Sequence, residues 1–207
     1  YTKTLKKAFP ESISVEYLHG KMKAKEKNKI MERFAAGEID VLVNNAGITH
    51  RSSFADTELA VFQRIMAVNY FGALHCTKAA LSSLITRHGQ IIVLSSLSGF
   101  APLLYRSAYN ASKHALHGLF ETLRYEIKGS GVNIMLVCPG FTATDLRKNA
   151  LVGDSGLASS PPLAMGRVAS AHDVAEEIYR AGLKRKRLLV LSNVNWRARL
   201  LARYFPW

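Results

Sequence analysis

The chain has 207 residues, 48% hydrophobic and 21% charged, enough for one α/β domain with a sizeable core. With 14 glycines, 6 prolines and no low-complexity tract it is no disordered chain, and no run of 18 apolar residues offers a bilayer span. The formal net charge of +13 gathers at the two ends, early lysines from Lys3 to Lys29 and late arginines at 185–187 and in WRARLLARYFPW; solvated helix faces explain it first, and an anionic partner (nucleic acid, membrane or phosphorylated cofactor) second.

In chain order, Ile13, Val15 and Tyr17 alternate with Ser14 and Glu16, which predicts a strand ending at His19-Gly20. Ile30, Met31 and Phe34 recur at helical spacing within 22–36, and residues 40–45 read as a buried strand. Asp56 is expected to cap a long helix over about 57–86, with Phe62, Ile65, Met66, Ala73 and Ala80 broadly on one side. QIIVLSS is a strand, 108–128 a helix and VNIMLVC a strand; Ser170 then opens the helix AHDVAEEIYRAGL, and RLLVLS is the last strand.

Strands separated by helices predict a single Rossmann-like domain over 1–207, a three-layer α/β/α arrangement with a parallel sheet and right-handed crossovers. Sites in such sheets lie at the carboxyl ends of the strands. That places Asn44, Asn45, Ala46 and Gly47, then Ser95-Ser96, then Pro139-Gly140 on one edge. Cys76 and Cys138 fall in apolar patterns and read as buried free thiols in a reducing cytoplasm. A start at Tyr1 without a secretory signal suggests a fragment, a processed product or an engineered chain.

The chemistry converges on that edge. In YNASK, Tyr109 and Lys113 lie four apart and share one face of a helix. An ammonium beside a phenol favours the phenolate, which makes tyrosine a usable acid–base group near neutrality. Ser96, at the end of the preceding strand, is placed to hydrogen-bond a substrate carbonyl. Asn69, in the long helix, is a polar side chain that needs partners if buried, and a water linking Lys113 to solvent is one candidate. His114 and His117 lack the companions of a metal site and read as surface histidines. Ser96 has no GxSxG elbow, which argues against a hydrolase nucleophile.

Residues from about 40 to 207 resemble the short-chain dehydrogenase/reductase family in NNAG at 44–47, Asn69 in VNYFG, SS at 95–96, YNASK at 109–113 and CPGFTAT at 138–144. The resemblance implies a catalytic tetrad of Asn69, Ser96, Tyr109 and Lys113, and a nicotinamide cofactor, NADP or NAD. It further implies that Asn44–Gly47 line the cofactor cleft, that Lys113 binds the ribose hydroxyls, and that Pro139, Gly140, Thr142 and Thr144 cover the nicotinamide and its phosphates. The implied substrate is a small carbonyl or alcohol, and the implied assembly a homo-oligomer.

The first part of the chain departs from that pattern. The family's TGxxxGxG loop, whose amides approach the cofactor pyrophosphate, has no counterpart in these residues. Residues 1–41 instead resemble the strand-HG-helix unit of the second motor domain of RecG-type DNA helicases. The expectation is therefore a chimeric or truncated Rossmann-like domain, lacking the family's first two strands and binding its cofactor weakly. A non-catalytic remnant scaffold is the first alternative, and nucleic-acid binding through the basic N-terminal unit is the second. For NWRARLLARYFPW, a tail packed on the domain or on a second subunit ranks above a basic-aromatic helix on an anionic membrane surface.

Overall fold

Runs of Val, Ile and Leu without polar alternation form strands that are buried on both faces, and such strands assemble in parallel with helices above and below. The structure, a computed structural model, describes residues 15–16, 23–146, 149–154, 156–157 and 168–191. Its sheet has five parallel strands in the order β1 (Val15–Glu16), β2 (Val41–Asn44), β3 (Gln90–Leu94), β4 (Asn133–Pro139) and β5 (Leu188–Leu191). Val15 pairs with Val41 and Glu16 with Leu42, so β1 lies directly beside β2.

Successive side chains of a strand point to opposite faces. Val41, Val43, Ile92, Leu94, Met135 and Val137 face one way and pack with Val174, Ala175, Ile178 and Ala181 of helix α5 (Ala171–Leu183). Leu42, Ile91, Val93, Ile134 and Leu136 face the other way. They meet Ala73, Ala80 and Leu84 of α3 (Gly72–Thr86) and Leu116 and Phe120 of α4 (Ser107–Glu126), with Ile30 of α1 (Ala24–Ala35) at the margin. This is the expected α/β/α sandwich. One detail differs from the expectation of uniform crossovers. All four connections step in the same direction along the sheet, but the last helix takes the opposite face, so its connection has the opposite hand to the others.

Local chemistry sets the element ends. Helix α1 stops at Gly37, whose φ of 72° is the left-handed conformation, and Glu38 N–H then reaches back to Arg33 O at 3.0 Å. Ser170 caps α5 by accepting from Asp173 N–H at 3.0 Å. Asp56, expected as a cap, is not one: helix α2 (Leu59–Met66) begins after Glu58, and the Asp56 carboxylate accepts from the Ser53 hydroxyl instead. The long helix is continuous to Thr86 but widens into a π turn over Ala67–Phe71, which contains Asn69.

The chain leaving β4 is pinned twice. At its root, Ala143 N–H donates to Ala169 O and Ala169 N–H to Phe141 O, both at 2.9 Å. Farther out, Arg51 N–H donates to Leu151 O at 2.7 Å and Leu151 N–H to Thr49 O at 2.9 Å. Cys138 is buried as expected, Cys76 is only half-buried, and neither is in a disulfide. Among the described residues no helix is long and apolar enough to cross a membrane. Ile13, Tyr17, the lysines from Lys3 to Lys21, and the tail WRARLLARYFPW lie outside the described residues.

Candidate active site

The carboxyl ends of β2, β3 and β4 and the first turns of α4 surround a cavity of about 500 Å³. Asn45, Ala46 and Gly47 form one wall, Ser96 another, and Tyr109 and Lys113 the floor. Pro139, Gly140, Thr142 and Thr144 close the far side. Asn44 is not on the wall. Its side chain follows the strand alternation away from the cavity and donates to Thr77 Oγ1 of α3 at 2.9 Å.

Lys113 is buried, and its Nζ donates to the carbonyl of Leu94 at the end of β3, 2.7 Å away. The same Nζ lies 5.6 Å from the centre of the Tyr109 ring. Burial pushes the lysine down to about 8, with Cys138 opposing the shift. The ammonium is thus desolvated, anchored on a backbone dipole and one helical turn from the phenol. Ser96 is fully extended (φ −164°, ψ 167°) and uses its oxygen to accept from Ser98 N–H at 3.2 Å, which orients the side chain at the start of a short turn, Leu97–Gly99.

Asn69 finds hydrogen-bond partners within the protein. Its Oδ1 accepts from Ile48 N–H at 2.8 Å, and its Nδ2 donates to Ile48 O at 3.0 Å and to Ser112 Oγ at 2.9 Å. The amide therefore acts as a bridge between the long helix, the loop after β2 and α4, and it lies outside the cavity lining. π turns recur at functional sites because they re-aim a few backbone and side-chain groups without ending the helix.

Two residues beyond the sequence reading belong to the site. Arg106, one turn before Tyr109, lines the cavity and donates through Nη1 to Thr49 Oγ1 at 2.6 Å and to His50 O at 3.0 Å. Helical spacing from Tyr109 is the signal that could have found it. His117 is not a surface residue: it is half-buried, and Nε2 lies 2.9 Å from Ser95 Oγ. Its spacing of four from Lys113 was the available signal. His114 is exposed, as expected, with Nδ1 at 2.9 Å from Asn110 O. Among the described residues no cluster of His, Cys, Asp or Glu could hold a metal ion.

The donor set fits the nicotinamide and sugar end of a dinucleotide. A Cβ on Gly47 would lie 3.7 Å from Lys113 Nζ and 3.6 Å from Asn69 Oδ1, so the glycine leaves the approach to the ammonium open. A phenol, a buried ammonium and a serine hydroxyl in one cleft can exchange a proton and hold an oxygen at the same point.

A parallel sheet with such a triad at its carboxyl edge has the architecture in which dinucleotides bind beyond the strand ends. The chain matches the short chain dehydrogenase family over residues 4–153 and belongs to that family of NAD(P)-dependent enzymes. The match begins at residue 4 and so takes in the helicase-like segment, whose resemblance to a helicase gains no support. Over 163 residues the chain is 42% identical to dehydrogenase/reductase SDR family member 7B of Xenopus laevis, covering 77% of this chain and 50% of that protein. For the Rattus norvegicus protein of the same name the identity is 39% over 160 residues, covering 76% and 49%. The chain thus spans about half the length of the curated relatives it matches. Among solved structures, a short chain dehydrogenase from Burkholderia cenocepacia in complex with NADP superposes with a TM-score of 0.71 at 20% identity, covering 86% of this chain and 70% of that one. One from Streptomyces avermitilis gives 0.69 at 25% identity, covering 92% and 74%.

Proposed function

We propose that this chain interconverts a small carbonyl compound and its alcohol with NADP or NAD, using Tyr109 as the acid–base group. The observation that carries this reading is the meeting of Tyr109, buried Lys113 and Ser96 on one cavity at the strand ends. When bound, the nicotinamide supplies or accepts the hydride. In the reducing direction Ser96 Oγ–H holds the substrate oxygen and the Tyr109 hydroxyl gives that oxygen its proton. Lys113 stabilises the phenolate left behind and offers its remaining N–H groups to the ribose hydroxyls. Asn45, Ala46, Gly47 and the stretch from Pro139 to Thr144 hold the cofactor against that floor, and Asn69 keeps the loop after β2 in register with α4. Structural neighbours were solved with NADP, NADPH and NADH, which supports a nicotinamide cofactor, and the net charge of +13 favours an anionic ligand.

The glycine-rich pyrophosphate loop is missing from these 207 residues. The loss of two or three charge-assisted hydrogen bonds, each worth about 1.5–3 kcal/mol and partly replaced by water, costs a few kcal/mol and weakens the cofactor roughly a hundred- to ten-thousand-fold relative to a site that has the loop. The reading also includes a homo-oligomer, supported by Phe71 and Ile85 standing exposed on the long helix, which sedimentation of the purified chain tests. The function is tested by following nicotinamide absorbance with a panel of ketones and aldehydes. Titration calorimetry with NADPH and NADH tests the affinity, and submicromolar binding of either would refute the weak-binding half.

A further inference from the structure

A second polar unit stands directly behind Ser96. His117 Nε2 lies 2.9 Å from Ser95 Oγ, its Nδ1 faces Glu121 Oε1 at 3.7 Å, and Cys138 Sγ stands 3.7 Å from Nε2. The Phe100 ring closes one side, nearly perpendicular to the imidazole, with centroids 6.3 Å apart. Gly99 is required by this arrangement: a Cβ there would fall 2.5 Å from His117 Nε2 and 2.7 Å from Ser95 Oγ. Ser95 itself lines the cavity beside Ser96 and Lys113. The unit therefore reaches from the half-exposed Glu121 carboxylate to the wall of the site.

The donor and acceptor roles follow from the partners. A carboxylate only accepts, so Glu121 favours the neutral imidazole with its proton on Nδ1, and Nε2 then accepts from the Ser95 hydroxyl. A proton taken up from solvent makes Nε2 a donor as well. Nε2–H then donates to Ser95 Oγ, and the serine proton is released to point into the cavity. Around this ring, Glu121 on the same helix favours the cation, and the Lys113 ammonium opposes it. Cys138 on β4 contributes a thiol, and the turn after β3 contributes Ser95 and the Phe100 edge.

We propose that His117 is a positioning residue that couples its own protonation to the direction of the Ser95 hydroxyl at the cavity wall, and through it to the site's affinity for a nicotinamide cofactor. The cofactor half rests on the functional reading above; the coupling of His117 to Ser95 does not. Nitrogen-15 NMR of the cofactor-free chain, labelled at histidine, reads the ring directly. Nε2 is expected as the unprotonated nitrogen at high pH, with a titration that moves in the Ser95→Ala variant. NADPH affinity, followed by nicotinamide fluorescence from about pH 5 to 8, should show a step of roughly three- to tenfold as the ring charges. His117→Gln, which hydrogen-bonds without titrating, should remove the step, and Glu121→Gln should move it to lower pH. A ring titration indifferent to Ser95→Ala overturns the coupling, and a His117→Gln affinity curve that overlays the parent's overturns its effect on the site. Absence of NADPH binding at every pH overturns the functional reading, and the ring titration then decides the coupling alone.

Discussion

The Lys113 ammonium rests on the Leu94 carbonyl at 2.7 Å, so the charge 5.6 Å from the centre of the Tyr109 ring is held by the last residue of β3. The position of that charge is therefore as rigid as the sheet. Burial holds the lysine near 8, where a small change of environment alters its protonation. The first two predictions follow from this contact.

Replacing Tyr109 by Phe removes the hydroxyl while keeping the ring that is buried in the floor of the cavity. Turnover should fall by at least about a hundredfold, the lower range for loss of a positioned general acid. The melting temperature should stay close to that of the parent. A Phe variant that keeps most of its rate would show that Tyr109 is not the proton donor.

Lys113→Met should lower both cofactor affinity and rate, and it should also change how stability depends on pH. The lysine is held at about 8 in the fold against 10.5 unfolded, so between those values the unfolded chain binds the extra proton. Stability from this group therefore rises with pH across that window and is lost as pH falls through about 8. The full excursion is on the order of 3 kcal/mol. Chemical denaturation of parent and Met variant across the window should show the difference slope, and parallel curves would contradict it.

His50 makes the opposite end of the pH range informative. It is completely buried, neither ring nitrogen has a hydrogen-bond partner among the described residues, and burial with Arg106 nearby pushes it down to about 4. The fold binds fewer protons than the unfolded chain between about 4 and 6.5, so stability is lost as pH falls through that interval. His50→Phe should flatten this acid limb, because the ring already packs near Phe62 in a small apolar cluster. An unchanged acid limb would remove His50 from the account.

Asn69→Ala removes three hydrogen bonds and leaves the Ile48 N–H and C=O unpaired in the interior, while Ser112 keeps its bond to Tyr109 O. The expected loss is about 3 kcal/mol, or roughly 6–12 °C in melting temperature for a chain of this size. Asn69→Asp should be little better, since a carboxylate cannot donate to Ile48 O. A melting temperature within a degree or two of the parent's would count against the bridging role.

The strands and the Tyr109–Lys113 pair were legible in the sequence because their signals are local: a buried run, and a spacing of four on a helix. The pair NN at 44–45 was legible only as a place. Which asparagine faces the cavity depends on the phase of β2 against α3, and Thr77 decides it from across the interface. Asp56 failed as a cap because Ser53, three residues earlier, offered its carboxylate a nearer donor. His117 looked like a surface residue because its partner Ser95 comes from the end of β3, and the one local signal, a spacing of four from Lys113, does not name that partner.

The double pinning of the chain after β4 separates two things that enzymes often have to change together. Gly140 to Thr142 are fixed at the root by Ala169, and Leu151 is fixed against Thr49 and Arg51. Between those fixed points Asp145, Leu146 and Asn149 line the cavity, and lengthening a loop that is already closed costs only about 0.6 kcal/mol per doubling. Insertions, deletions or wholesale exchange there can accumulate without disturbing the phenol, the ammonium or the serine. The architecture thus lets a lineage explore new substrates by rewriting one short interval while the proton-handling floor is inherited unchanged.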